Sequence, residues 1–378
     1  NCRAGLKVLC ATVGTVLYPG GGDEEFKIKR SKIRGVESLG MLCAEDELGI
    51  GASHDGIMEL PADAVAGTTA RDYLRIEDDY LIEVGLTPNR VDAASHIGVA
   101  RDLAAYLRAK GDAEARVLWP DVSAFAVDDH ALEIGVTVEN AEAAPRYTGV
   151  TITGCKIGPS PDWMQNALRA AGIHPKNNLV DITNYVLFEL GQPLHAFDAA
   201  SLPGRNIGVR AARDGEELVT LDGKTHRLLP SDLVISSSGV GVALAGVMGG
   251  LNSEITEKTE HVLLESANFA APFVSKTSRR LGIPSEASFR YSRGVDPLLT
   301  ETAMNYALHL MEQWGGVRAF SRSFYAQNGD IRPACVPLTA AKMKKVLGWD
   351  DMDGAETILK RLGIERAAGD QNKAEYEV

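Results

Sequence analysis

Residues 176–198 read KNNLVDITNYVLFELGQPLHAFD and gather Asp181, Thr183, Asn184, Tyr185, Gln192, His195 and Asp198 into one short stretch. Core segments seldom carry so many groups that hydrogen-bond in fixed directions, because each one left unpaired inside costs about 1–3 kcal/mol. The plainest local reading is a short strand over VDI followed by a helix capped by Thr183 or Asn184. That reading accounts for single residues but not for the set, which points to a site.

Working outward, 378 residues predict about two to three domains at roughly 150 residues each. Hydrophobic residues at 45% and charged residues at 24% are those of an ordinary globular chain. No apolar run approaches the ~18 residues of a membrane span, and no signal peptide opens the chain. Residue 1 is Asn, so the natural start is expected upstream. Cys2, Cys10, Cys43, Cys155 and Cys335 are odd in number and form no C-x-x-C pair. They argue against a zinc site and a disulfide framework, and for a reducing cytosol. A net charge of −12 counts against nucleic-acid binding by the chain as a whole, yet leaves room for a local basic patch. Neither G-x-G-x-x-G nor G-x-x-x-x-G-K-[ST] occurs, so no dinucleotide or P-loop site is supported.

Residues 1–75 alternate with period two in LKVLCATVGTVL and FKIKRSKIRGVESLGMLCAEDELGI, divided by Gly20–Gly22, and predict a small all-β barrel. Lys27, Lys29, Arg30, Lys32 and Arg34 crowd into eight residues. Alternation turns Lys27, Lys29 and Ser31 one way and Phe26 and Ile28 the other; alone, this reads as a solvated strand face. Residues 76–140 predict a strand running into TPNR, then a helix capped by Asp92 or Ser95. Its apolar face is Ile97, Ala100, Leu103, Ala104 and Leu107, and a linker from 111 passes into the strand EIGVTVEN. Residues 141–328 read as a larger α+β region opening on RYTGVTITG. It holds a helix over PDWMQNALRAAG closed by Gly172, and strands that include LAGVMGG and HVLLESANF. Residues 329–378 read as strand, helix, turn, helix.

The phrases NLVDITNYVLFELGQPLHAFD, ALAGVMGG and EASFRYSRGVDP, with GVESLGMLCAEDELG before them, resemble the family of bacterial phenylalanine–tRNA ligase beta subunits in order and spacing. The resemblance implies an α+β multidomain chain: an OB-type tRNA-binding barrel, N-terminally incomplete, at 1–75, and a structural strand–helix segment with linker at 76–140. A mixed α/β editing domain follows at 141–328, then the start of a truncated winged-helix-like, DNA-binding-like module at 329–378. It implies a cytoplasmic protein that joins an alpha subunit in an alpha2-beta2 tetramer, binds tRNA(Phe) and hydrolyses tyrosine wrongly attached to it. ATP and Mg2+ are implied for the whole complex and no cofactor for this stretch. A second site has a physical motive, since an apolar pocket rejects an added hydroxyl by only about a hundredfold.

Carried over residue by residue, the resemblance implies that Glu265 accepts the tyrosine hydroxyl and that His195 orients water or substrate. Thr183 and Asn184 are placed on a pocket strand and grouped with these catalytic residues. Substrate binding falls to Gly249, Ser285 and Ala287, and to His174, which stands where the family usually has arginine; Lys176 is an alternative there. Lys27, Lys29, Arg30, Lys32 and Arg34 become the tRNA contacts. From residue context alone, Glu265 reads as a strand-end charge and His195 as a core histidine. The family's magnesium acids lie just past a phrase resembling EYEV, so no metal site is predicted. Two other classes remain open: a scaffold that binds tRNA and docks the alpha subunit without chemistry, and a free-standing deacylase.

Overall fold

Asn177, rather than Thr183 or Asn184, starts the helix of the deciding stretch. In the computed structural model its extended backbone lets the side-chain oxygen accept from the Val180 N–H at 3.0 Å, and the helix runs Asn178–Leu190 to a left-handed Gly191. The expected VDI strand is therefore helical. Leu179, Ile182, Val186 and Leu190 recur at three- and four-residue intervals and are all buried, and this stripe outweighs the β-branched residues. Asn178 ties the helix start in place: its amide donates to Lys156 O and Trp314 O at 3.0 and 2.9 Å, and its carbonyl accepts from Gly158 N at 3.3 Å.

The structure describes the chain apart from residues 22–23, 52, 77–79, 121, 123–131, 318, 321–323, 328–330, 370–372 and 378. Gly22, part of the linker and the expected boundary at 328/329 thus lie outside the described residues. Two compact units emerge, Asn1–Glu83 and Val84–Val378.

Among its described residues the first unit holds four two-stranded antiparallel ladders: Lys7–Val8 with Glu59–Leu60, Cys10–Thr12 with Gly40–Leu42, Val16–Leu17 with Phe26–Lys27, and Ser31–Ile33 with Val36–Ser38. A small core of Ala11, Leu17, Ile28 and Cys43 lies among them. Ile28 points inward as alternation predicts, whereas Phe26 is 49% exposed. Arg34 and Gly35, at φ +50° and +87°, turn the last hairpin in two residues.

In the second unit Ser95 caps the helix His96–Ala109 through a bond from Gly98 N, and Ile97 and Ala104 are buried while Leu103 is exposed. Residues 80–86 form no strand, contrary to expectation. Gly172, at φ +78°, follows the helix Asp162–Ala170 as predicted. Two sheets follow. The first is ordered Leu194–Asp198, His261–Asn268, Arg146–Thr153, with Ala319–Phe320 and Phe324–Gln327 both pairing with the last of these, antiparallel throughout. The second is ordered Met248–Gly249, Val240–Leu244, Leu233–Ser237, Asn206–Ala211, Gly135–Val138, with only the final pair parallel. Of LAGVMGG, Leu244 ends one strand and Met248–Gly249 form the next, with a turn between them. One core gathers Val150, Ile152, Ala196, Val262 and Leu264 of the first sheet with the helices Asn178–Leu190 and Leu299–Trp314. The other gathers Tyr147, Phe197, Leu263 and Ala267 of that sheet with Ile207, Val209 and Ile235 of the second. Residues 335–377 add a three-stranded antiparallel sheet and the helices Ala340–Leu347 and Met352–Arg361 around Met343, Met352 and Tyr376.

The two asparagines of the helix start should differ in weight. Asn177→Ala should cost about 1 kcal/mol in denaturant unfolding, as lost caps do. Asn178→Ala orphans three interior partners and should cost on the order of 3 kcal/mol.

Candidate functional site

Alternation along His261–Asn268 decides which groups meet. Val262 and Leu264 face the helices, and Ser266 also turns that way, donating to Thr300 O at 2.8 Å. Leu263, Glu265 and Ala267 face the second sheet. Register sets Glu265 directly between Gly149 and His195 on the neighbouring strands. A glutamate thus sits in the middle strand, 5% exposed, inside what is otherwise an apolar interlayer.

Above it is a cavity of about 90 Å³, walled by His195, Glu265, Met248, Gly249, Phe269, Ala287 and Tyr291 with Leu244 and Val247. Five chain segments meet there. The His195 ring stands edge-on to Phe197, centroids 4.5 Å apart at 82°. Gly249 admits that ring: a Cβ there would lie 2.5 Å from His195 Cε1 and 2.7 Å from Nε2. Gly246, at φ +68°, turns the loop so tightly that a Cβ would meet Val274, Tyr291 and Phe269 within 3.1 Å.

Tyr147 donates its hydroxyl to Glu265 Oε2 at 2.5 Å. Burial nonetheless pushes the Glu265 carboxyl up to about 8, with the Tyr147 bond opposing the rise. Burial alone takes His195 the other way, down to about 4. Near neutral pH both groups facing the cavity are uncharged. The arrangement offers a directional hydrogen-bonding group in a largely apolar cavity and a neutral imidazole at its side, suited to a small, neutral group that can hydrogen-bond.

Of the residues predicted from sequence, His195, Glu265, Gly249 and Ala287 line this cavity. Ser285 stands behind the wall: it caps the helix Glu286–Tyr291 and donates to Val247 O at 2.7 Å, which fixes Ala287 against the loop. Thr183 and Asn184 are on the helix covering the opposite face of the first sheet, not on a pocket strand, and Thr183 donates to Val180 O within that helix. The correction follows from the helical start at Asn178. His174 is exposed in the preceding loop, and Lys176 pairs with Glu254 at 2.7 Å; neither lines the cavity. Asp181 and Asp198 of the polar stretch are structural acceptors, for Ser160 and Lys176 N in one case and Thr259 in the other. Sequence reasoning missed Tyr147, Tyr291 and Phe269. Only Tyr147 left a trace, as the large aromatic two residues before Gly149 on an alternating strand. In the first unit Lys27, Lys29, Arg30, Lys32 and Arg34 are all exposed, and Arg30 is already paired with Glu37. Among the described residues no group of three His, Cys, Asp or Glu side chains gathers in a way that would hold a metal ion, and no helix is long and apolar enough to cross a membrane.

Residues 143–316 match the family described as B3/4 domain. The chain is 49% identical over 348 residues to a phenylalanine–tRNA ligase beta subunit of Bacteroides fragilis, covering 92% of this chain and 42% of that one. It is 52% identical over 297 residues to the Bacteroides thetaiotaomicron protein of the same name, covering 79% and 36%. With that of Anaeromyxobacter dehalogenans it shares 43% over 380 residues, covering 100% and 46%. The chain therefore spans less than half the length of these relatives. A solved N-terminal fragment of the phenylalanyl-tRNA synthetase beta subunit from Pyrococcus horikoshii overlays with a TM-score of 0.34 at 13% identity, covering 77% of this chain and 78% of that one, too loosely to support further comparison.

The opposed shifts of Glu265 and His195 predict a pH signature. Unfolded, Glu265 returns to 4.5, so the folded state binds more protons between 4.5 and 8 and stability falls as pH rises through that window. His195 acts oppositely between 4 and 6.5, where the unfolded state binds more. The two offset each other at acid pH, and from 6.5 to 8 Glu265 acts alone. Glu265→Gln should remove that decline, read from denaturant midpoints at pH 6.5 and 8; parallel profiles for both proteins would mean that Glu265 is charged throughout.

Proposed function

This chain belongs with the phenylalanine–tRNA ligase beta subunits by homology along most of its length, and from that premise we propose that its cavity is an editing site that hydrolyses tyrosine mischarged onto tRNA(Phe). The observation that carries the reading is Glu265, a hydrogen-bonding acid buried in the lining of a cavity whose other walls are largely apolar. Tyrosine entering ring-first satisfies it. Phenylalanine leaves its second oxygen, the one Tyr147 does not occupy, unpaired, at a cost of about 1–3 kcal/mol, the reverse of the preference an apolar synthetic pocket has.

His195 flanks the slot, and its neutral imidazole can accept a proton from water or hold the ester against it. Gly249 keeps that ring in place. Hydrolysis then rests on a positioned water and a pre-oriented ester, with Ala287 and the Ser285-anchored helix closing one wall.

In the same reading the chain supports tRNA(Phe) aminoacylation with an alpha subunit in an alpha2-beta2 tetramer in the cytoplasm, and ATP and Mg2+ serve that complex. Residues 1–75 act as the OB-type tRNA-binding barrel through Lys27, Lys29, Lys32 and Arg34, with Arg30 released from Glu37. Residues 76–140 are the connecting segment, 141–328 the editing domain and 329–378 the beginning of a winged-helix-like module. His174 and Lys176, outside the slot, are left for contacts with tRNA near its mouth.

Release of amino acid from Tyr-tRNA(Phe) and Phe-tRNA(Phe) by the purified chain tests this. Glu265→Ala should lower the Tyr-over-Phe preference about ten- to a hundredfold, the worth of a hydrogen bond to such a group. Gly249→Ala, whose methyl must displace the His195 ring, should slow both esters by about a hundredfold. No release from either ester by the wild type would leave a scaffold without chemistry, and unchanged rates in both variants would remove Glu265 and Gly249 from the site.

A further inference from the structure

Glu265 has two oxygens in unlike surroundings. Oε2 points into the interlayer and accepts from the Tyr147 hydroxyl; Oε1 has no partner among the described residues, while Glu265 itself lines the cavity. Tyr147 is fully buried, one strand away and on the same face, diagonal to Glu265 in the ladder where Gly149 stands directly opposite the acid. The glycine leaves no side chain between them, so the phenol reaches the carboxyl from within the sheet. This contact is already the one proposed for substrate: a tyrosine hydroxyl on the Glu265 carboxyl.

We propose that Tyr147 is a specificity-determining positioning residue, a built-in phenol that occupies Glu265 Oε2 and so holds Oε1 toward the cavity to read the phenol of the substrate. The inference rests on the editing reading and deepens it. A hydroxyl donates one proton, so Tyr147 uses its own on Oε2 and that oxygen stays an acceptor. Any proton the carboxyl carries is then confined to Oε1. A substrate phenol can accept from that proton or donate to the ionised oxygen, whereas a phenyl ring can do neither. Without the Tyr147 bond the carboxyl can turn or exchange its proton between oxygens, and the cavity oxygen no longer presents one defined partner. Tyr147 touches no substrate; it acts through Glu265.

Tyr147→Phe removes one oxygen and keeps the ring. Tyr- and Phe-tRNA(Phe) hydrolysis should be measured for wild type, Tyr147→Phe, Glu265→Ala and the double variant. The Tyr-over-Phe ratio should fall about tenfold in Tyr147→Phe, as for loss of one buried hydrogen bond, and Tyr147→Phe should lower it no further once Glu265 is alanine. A purely packing role would slow both esters together and leave the ratio intact, which overturns the proposal while the editing reading stands. If the wild type hydrolyses neither ester, the editing reading fails and takes the proposal with it. A second readout is the ring-labelled tyrosine NMR spectrum of the wild type. The resonance that Tyr147→Phe removes, distinct from that of the neighbouring Tyr291, should shift as Glu265 titrates and stop shifting in Glu265→Gln; no such shift would equally overturn the proposal.

Discussion

A two-residue period on one central strand is the constraint from which the second unit follows. His261–Asn268 is covered on both faces, so its odd and even residues must satisfy different neighbours: helices on one side, a second sheet on the other. Seven of its eight residues are buried. Any slip by one residue would turn Glu265 into the helix layer among Ile182, Val186 and Met304, and would send Val262 and Leu264 into the slot. Flanking strands in antiparallel register on both sides pin the alignment.

An acid in that position is costly unless it is either paired or neutral. Both remedies are present, one hydrogen bond from Tyr147 and a raised affinity for a proton. Neither suits mere packing, since leucine would fill the same space without needing them. Around the acid the chain repeatedly gives up side-chain volume: Gly149 opposite it, Gly249 against His195, Gly246 in the wall, Ala287 on the facing helix. Cores normally close to crystal-like density, and small residues converging on one polar group mark a space that the packing keeps open.

Much of this was legible beforehand, for uneven reasons. Elements with strong periodicity or caps were readable: Ser95 before its helix, Gly172 after another, and HVLLESANF as a buried strand. The VDI segment misled because its β-branched residues carry a weak strand preference, while the burial stripe Leu179–Ile182–Val186–Leu190 needs a longer window to be seen and wins through packing. That error carried Thr183 and Asn184 onto the wrong layer. His195, Glu265, Gly249 and Ala287 came from family phrases, not from spacing, since they are brought together by sheet register and a loop. Tyr147 escaped because its importance lies in a diagonal cross-strand contact, which a single sequence does not encode locally.

Opposed burial effects give the site its chemical character. A buried histidine loses affinity for a proton and a buried carboxyl gains it, so placing the two side by side, with no cation between, leaves both neutral from about pH 4 to about pH 8. Had they formed an ion pair instead, each would have shifted the other way and the slot would hold two charges, which a neutral phenol could not displace without stranding both. The neutral pair can take up a hydroxyl at little electrostatic cost. On the proposed editing reading, discrimination would depend on counting hydrogen bonds, where one hydroxyl more or less is a large fraction of the total, instead of on charge, to which tyrosine and phenylalanine look alike.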